Sequence, residues 1–287
     1  MCSVGRNYIL YNPFAGNKTG EESALKIRDF YKDEDCEVIS VKSLKDYNDF
    51  IGGLNTEDKI VICGGDGTLN YFVNKVDVSK VKNDIYYVST GTGDDFAFEL
   101  GQKGTGIPFR INNYLVDLPR IIVKEKEYKF LNGVGYGIDG YCCEQGDKIK
   151  AKSSKKVNYA LIAVKGLLYD YHPCGATINV DGKEIRYEKV WFATTMNGKY
   201  YGGGMKCAPN QDRLSLDKTV SLVVLHSSGK IKTLGAFSSI FSGEHIKKTD
   251  MVTVYEGHHI KVKFDKPQAL QIDGETISNV VEYEVIK

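Results

Sequence analysis

The stretch Lys59-Ile60-Val61-Ile62-Cys63-Gly64-Gly65-Asp66-Gly67-Thr68-Leu69-Asn70 constrains this chain more than any other. An apolar run of strand length meets three glycines in four positions, and Leu69, Tyr71, Phe72, Val73 and Val76 then recur at roughly helical spacing. The pattern predicts strand, glycine turn, helix. Glycine lacks a Cβ, so a ligand can approach the backbone closely, and the amides at the new helix's N-terminus favour an anion such as phosphate. Asp66 is the discordant residue, because a carboxylate repels phosphate unless a divalent cation lies between them. The stretch therefore predicts a nucleotide phosphate site that uses Mg²⁺. Capping the following helix is the simpler role for Asp66, but the glycines on both sides exceed what a cap requires.

The flanking sequence repeats the theme. Residues 8–11 read as a strand, followed by a polar turn from Asn12 and Pro13 through Lys18 to Gly20, and then an amphipathic helix over 21–31. A strand at 38–41, a helix at 44–54 and a strand at 85–89 continue the alternation, and the last runs into Gly91-Thr92-Gly93-Asp94-Asp95-Phe96-Ala97. Alternating strands and short helices predict a parallel sheet, whose ligands sit outside the strands' carboxyl ends. All three polar loops would lie at that edge. After about Arg120 the texture changes to short strands at 128–134, 176–180, 184–187, 189–196, 220–225, 252–255 and 260–264, with helices over 157–171 and 227–242. The expected fold class is α/β: an N-terminal parallel-sheet nucleotide-binding domain over 1–122 and a mainly β, sandwich-like second domain over 123–275.

Composition narrows the function classes. Lysine plus arginine (38) nearly balances aspartate plus glutamate (37), so a net charge of +1 gives no general reason to expect nucleic-acid binding. Seven cysteines without a CxxC pair fit a reducing cytoplasm. No apolar run approaches the roughly 18–20 residues of a membrane span, so the expectation is a cytoplasmic protein, peripheral at the membrane at most. Gly135-Tyr136-Gly137-Ile138-Asp139-Gly140 has the GxGxxG spacing, yet no acidic residue follows at the distance a dinucleotide fingerprint needs. Lys148, Lys150, Lys152, Lys155 and Lys156 form a basic run suited to anionic lipid headgroups or to plain solvation.

Seven pieces in order resemble the diacylglycerol kinase catalytic family, which includes bacterial lipid kinases and sphingosine kinases. They are Asn12-Pro13 with Gly16; Gly64 to Thr68 with Asn70 and Asn74; Gly91-Thr92 with Asp95-Phe96-Ala97; Val116-Asp117-Leu118; Phe130-Leu131-Asn132 with Gly135 and Gly137; Gly202-Gly203-Gly204-Met205 with Ala208-Pro209; and Asp273-Gly274-Glu275. The resemblance implies an ATP- and Mg²⁺-dependent lipid kinase that phosphorylates a hydroxyl of diacylglycerol or a related lipid in an interdomain cleft. It implies that the last segment, about 276–287, returns to the first domain. Asn12, Pro13, Lys18, Gly64, Gly65, Asp66, Gly67, Thr68, Thr92 and Asp94 would contact the nucleotide. Asp66, Asp95 and Asp117 would form the Mg²⁺ network, and Glu275 would take the proton from the lipid hydroxyl. The implied partners are a lipid substrate and a transient membrane contact; a homodimer is left open.

Physical chemistry asks for the same parts, since phosphoryl transfer needs an amide cradle, a carboxylate-held metal and a base beside the nucleophile. Three departures cut against the resemblance. Asp94 stands where the family usually has asparagine, and Phe98 where it has arginine, which adds a charge beside ATP and removes a charge-assisted donor. After Pro209, Lys218 and Ser221 replace a glycine and an aspartate of the turn that holds a structural metal, which tells against the site Asp217 would join. An NAD kinase, which shares the Gly-Gly-Asp-Gly loop, is the rival enzyme, and a non-catalytic nucleotide- or lipid-binding protein is the rival of another class.

Overall fold

The expected first strand, β1 (Asn7–Tyr11), forms one of the three interior strands of a five-stranded sheet in the computed structural model, which describes residues 5–14, 19–32, 34–91, 93–152 and 157–287. The chain divides between Leu118 and Pro119 into two units. In the first, β1 is followed by α1 (Gly20–Phe30), β2 (Cys36–Ser40), α2 (Tyr47–Gly52), β3 (Lys59–Gly64), α3 (Asp66–Lys75) and β4 (Asp84–Ser89). Short elements α4 (Asp95–Glu99), β5 (Phe109–Arg110) and α5 (Asn112–Leu115) close it. The strand order is β2-β1-β3-β4-β5, parallel except for the antiparallel β5.

Ile9, Leu10, Ile60, Val61, Ile62 and Cys63 are at most 1% exposed, as expected of central strands covered on both faces. Ala24 and Ile27 of α1 pack with Ile9 and Val61, and Leu69, Phe72 and Val73 form the buried stripe of α3. Each of the larger side chains, Ile9, Ile27, Val61, Leu69, Phe72 and Val73, stabilises the unit by roughly 1.5–3 kcal/mol. Asp46 caps α2 by accepting from the amides of Asn48 (2.7 Å) and Asp49 (3.0 Å). The chain runs to β2 on one side of β1 and crosses back to β3 on the other. The topological switch point therefore lies between β1 and β3, where α/β sheets bind ligands at the strands' carboxyl ends.

The second unit is a mainly antiparallel, sandwich-like β domain. Its elements are β6 (Arg120–Val123), β7 (Lys126–Lys129), β8 (Gly133–Tyr136), α6 (Ile138–Lys152), α7 (Tyr159–Lys165), β9 (Cys174–Val180), β10 (Lys183–Met196), β11 (Val220–His226), α8 (Lys230–Ser238), β12 (Val252–Gly257), β13 (His259–Ile272) and β14 (Glu275–Ile286). The sheet order is β12-β11-β10-β8-β13-β14-β6-β7, with β9 paired to β10 and β13. Tyr136 anchors its core, its ring 4.3 Å from Phe264 and 5.5 Å from Tyr283, and its hydroxyl donates to the carbonyl of Val280 at 2.6 Å.

Several boundaries differ from the sequence reading. Residues 120–123 pair with β7 and β14 and so belong to the second unit, and the segment 276–287, expected to return to the first domain, lies up to Ile286 in β14, between β13 and β6. Strand 260–264 extends through Pro267, which is tolerated because the ladder shifts register between Lys263 and Gln268. Helix 157–171 is α7 followed by a π-helical turn, Gly166–Asp170. Helix α6 had no expected counterpart. Two glycines interrupt its pattern for packing reasons: a Cβ at Gly140 would stand 1.9 Å from the carbonyl oxygen of Ala269 on β13, and one at Gly146 would stand 2.5 Å from the Tyr159 ring. Among the described residues, no helix is long and apolar enough to cross a membrane.

Candidate active site

The loops after β3 and β4 meet at the carboxyl edge of the first sheet. The Thr90 amide donates to the carbonyl of Gly64 at 2.9 Å, and a Cβ at Gly91 would lie 2.9 Å from the Cα of Gly65. Neither loop has room there for a side chain. At Gly64 a Cβ would come within 2.4 Å of the Thr68 hydroxyl, so Thr68, 8% exposed, packs back onto its own turn. The open side is at Gly67 and Gly93, where an added Cβ meets nothing within 4 Å among the described residues. That leaves approachable backbone beside the first turns of α3 and α4.

Asp66 opens α3 without capping it. Its Oδ2 instead accepts from the amides of Asp95 (2.8 Å) and Phe96 (3.3 Å), the first turn of α4. The carboxylate is 6% exposed and ties the two loops into one body. Asp95 is 4% exposed and Asp94 1%. Asp94 Oδ2 takes a hydrogen bond from the Ser89 hydroxyl, while its buried Oδ1 sits between Gly65 and Gly91 with no hydrogen-bond partner among the described residues. Burial pushes the Asp94 carboxyl above its usual range, opposed by the Ser89 hydroxyl and the Lys103 ammonium. Lys103, which the sequence reading passed over, lies 5.6 Å from the centre of the Phe98 ring and brings a cation to this loop.

Asn12 turns the chain after β1 by accepting from the Phe14 amide at 3.0 Å, beside Pro13, and its carbonyl abuts Gly20. Lys18 and Thr92 lie outside the described residues, as do Gly16, Lys155 and Lys156. Asp117 is exposed, two residues beyond α5. Asp217 is exposed in the loop before β11, where its carbonyl oxygen lies 2.7 Å from the His258 ring. Among the described residues, no three His, Cys, Asp or Glu side chains are gathered as a metal cage. Mg²⁺ needs no such cage, since one or two carboxylates suffice when substrate phosphates supply the remaining oxygens.

Glu275 follows a two-residue hairpin turn whose central residues, Asp273 (φ 46°) and Gly274 (φ 94°), have the left-handed conformation that suits Asp-Gly. Asp273 is fixed by the amides of Leu131 (2.6 Å), Asn132 (2.9 Å) and Gly133 (3.0 Å), and the Gly274 amide donates to Gln271 Oε1 at 2.7 Å. Arg213, 9% exposed, reinforces the receiving loop through the carbonyl of Leu131 (3.0 Å) and Asn132 Oδ1 (3.2 Å). On the other side of Glu275, Thr276 and Ser278 donate to Asp147 and Glu144 of α6 at 2.7 Å each. Glu275 itself is exposed on this braced turn.

A buried polar group escaped the sequence reading. Asp139, in the first turn of α6, accepts from the Thr194 hydroxyl within a core that includes Tyr171, Tyr201 and Cys207. Burial pushes its carboxyl up to about 6, opposed by the Thr194 bond. The buried hydroxyls of Tyr171 and Tyr201 have no hydrogen-bond partner among the described residues. The rejected GxGxxG spacing was the only sign of it, since Gly135 leaves room for the Asp139 Cβ.

Comparison with known proteins covers both units. Residues 6–116 match the diacylglycerol kinase catalytic domain, and residues 132–285 match the YegS C-terminal NAD kinase beta sandwich-like domain. A diacylglycerol kinase of Bacillus subtilis (strain 168) is 23% identical over 283 residues, covering 94% of this chain and 89% of that protein. A solved diacylglycerol kinase from Bacillus anthracis str. Sterne superposes with a TM-score of 0.62 at 17% identity, covering 99% of this chain and 94% of the other. Yeast NADH kinase shares the fold more distantly, with a TM-score of 0.50 at 12% identity over 99% of this chain and 79% of its own.

Proposed function

The chain belongs to the diacylglycerol kinase catalytic family, and from that premise we propose that it is an ATP- and Mg²⁺-dependent kinase that phosphorylates a hydroxyl of diacylglycerol or a related lipid. The observation that carries the reading is the Asp66 bridge, which joins two glycine loops at the sheet's carboxyl edge. The first unit binds the nucleotide: the backbone at Gly67 and Gly93 faces the phosphates, Gly64 and Gly65 close the turn behind it, and Asn12, Pro13, Thr68 and Asp94, with Lys18 and Thr92, supply the further contacts. Asp66 and Asp95, with Asp117 as a further candidate, would hold Mg²⁺, which when bound would neutralise charge on the phosphate oxygens.

Glu275 acts as the general base. As the lipid hydroxyl oxygen bonds to the γ-phosphorus and the bond to the β-phosphate oxygen breaks, the hydroxyl proton passes to the Glu275 carboxylate and ADP leaves. Carboxylates are weak bases toward alcohols, so this transfer comes late in the step. Asp273 holds the turn that presents Glu275. The enzyme works in the cytoplasm and meets its substrate by transient contact with the membrane.

The test is purified protein with labelled ATP, Mg²⁺ and a panel of diacylglycerol, monoacylglycerol, sphingosine, phosphatidylglycerol and NAD. Label is expected on a lipid of the panel; label on NAD alone overturns the proposal.

A further inference from the structure

Two neighbouring segments of the second unit expose apolar side chains that the fold does not use. Residues 157–169 and 227–243 contain three lysines, Lys165, Lys230 and Lys232, and no acidic residue. The first segment carries α7 and the π-helical turn, which bury Ala163, Gly166 and Leu167 on one side. The opposite side presents Leu161 (64% exposed) and Val164 (38%) in line with Leu168, with Tyr169 (69%) beside them. The second segment carries α8, whose first turn raises Ile231 to 84% exposure.

The segments are joined. The Lys230 ammonium donates to the carbonyl of Leu168 at 2.7 Å, and Leu168, Ile231 and Lys232 line one open recess of about 590 Å³ with Ser228 and Met251. Two acidic groups border the surface: Asp170, 3.2 Å from Lys165, and Asp250 at the rim of the recess. Lys230 and Lys232 lie in no ion pair among the described residues. An apolar patch interleaved with lysines fits a surface that offers both hydrocarbon and negative charge.

We propose that this face, formed by α7, the π-helical turn and the start of α8, docks on an anionic lipid bilayer. Leu161, Val164, Tyr169 and Ile231 enter the headgroup boundary while Lys230 and Lys232 meet the lipid phosphates. The inference rests on the lipid kinase reading for its purpose, but its measurement does not require turnover.

The experiment is cosedimentation of the full chain with vesicles of phosphatidylcholine alone and of phosphatidylcholine mixed with phosphatidylglycerol, at about 0.1 M salt. The protein should bind the mixed vesicles more tightly. The pair Leu161→Asp and Ile231→Asp should lower the partition coefficient at least about tenfold, and Lys232→Glu about fivefold or more. Leu216→Asp, 96% exposed at the opposite end of β11 and so about 20 Å away along that strand, should leave it unchanged. Leu161→Ser with Ile231→Ser, checked by thermal melting, separates lost docking from lost folding. Wild-type failure to bind the mixed vesicles overturns the proposal, as does a double variant that melts normally and binds as the wild type does. A wild-type dimer that the same substitutions dissolve without changing vesicle binding assigns the face to a second copy instead. If no lipid is phosphorylated but vesicle binding behaves as stated, the kinase reading fails and the docking surface stands.

Discussion

The loop pair of the first unit and the Asp273-Gly274 hairpin of the second both depend on carboxylates, but they hold them differently. In the first, Asp66, Asp94 and Asp95 are all nearly buried, and Asp66 receives two amides from a neighbouring helix. In the second, the roles are divided between adjacent residues: Asp273 receives three amides and fixes the turn, while Glu275 stays exposed. A carboxylate bound by several amides is a positional fixture, and the one left open can exchange a proton. The difference separates groups that hold a geometry from the group proposed to react.

The sharpest way to break that division is Glu275→Gln. It should lower kcat by at least about a thousandfold, some 4 kcal/mol, while calorimetry finds ATP affinity nearly unchanged; wild-type turnover would remove Glu275 from the mechanism. Asp273→Ala leaves three backbone amides without their acceptor and should destabilise the protein by about 3 kcal/mol in chemical unfolding. A loss within experimental error would mean that solvent replaces the clamp without cost.

Asp139 extends the comparison to a carboxylate buried in an apolar core. Its folded-state pKa of about 6 exceeds the unfolded value, so the folded state holds the extra proton and stability falls as pH rises from about 4 to 6, then levels off. Asp139→Asn should remove that slope and be more stable above pH 6 by roughly 2 kcal/mol. An unchanged slope of melting temperature against pH would assign the titration elsewhere. The smallest stability change is expected from Asp66→Asn, which keeps an acceptor for the α4 amides but loses the charge, about 1 kcal/mol. Its larger signature is weaker ATP and Mg²⁺ binding by calorimetry, and unchanged affinities would leave Asp66 as a bridge alone.

Sequence alone carried the first unit well because its signals are local. Glycines follow apolar runs directly at Cys63-Gly64, and the strand–helix alternation is regular. The second unit was less legible where long-range packing overrides local pattern. Helix α6 hides behind Gly140 and Gly146, whose absent side chains matter only against Ala269 and Tyr159. Strand β14 is broken in pattern by Asn279, held at φ 55°. The hairpin turn could be read from Asp273-Gly274, but its clamp could not, since the amides that hold Asp273 lie about 140 positions earlier. The local sequence suits Asp66 to be a ligand or a cap of its own helix, whereas its bond to the next helix joins residues 29 positions apart.

The sheet order of the second unit also bears on when the protein becomes competent during synthesis. β13 and β14, the last strands made, sit between β8 and β6, which are made first. The early strands must wait for the centre of their own sheet, and the amides of Leu131 to Gly133 wait with them for Asp273. Such distant pairing is slow to form. A ribosome that stalls before codon 273 leaves a chain without Asp273 or Glu275, so that partial product has neither the clamp nor the proposed base.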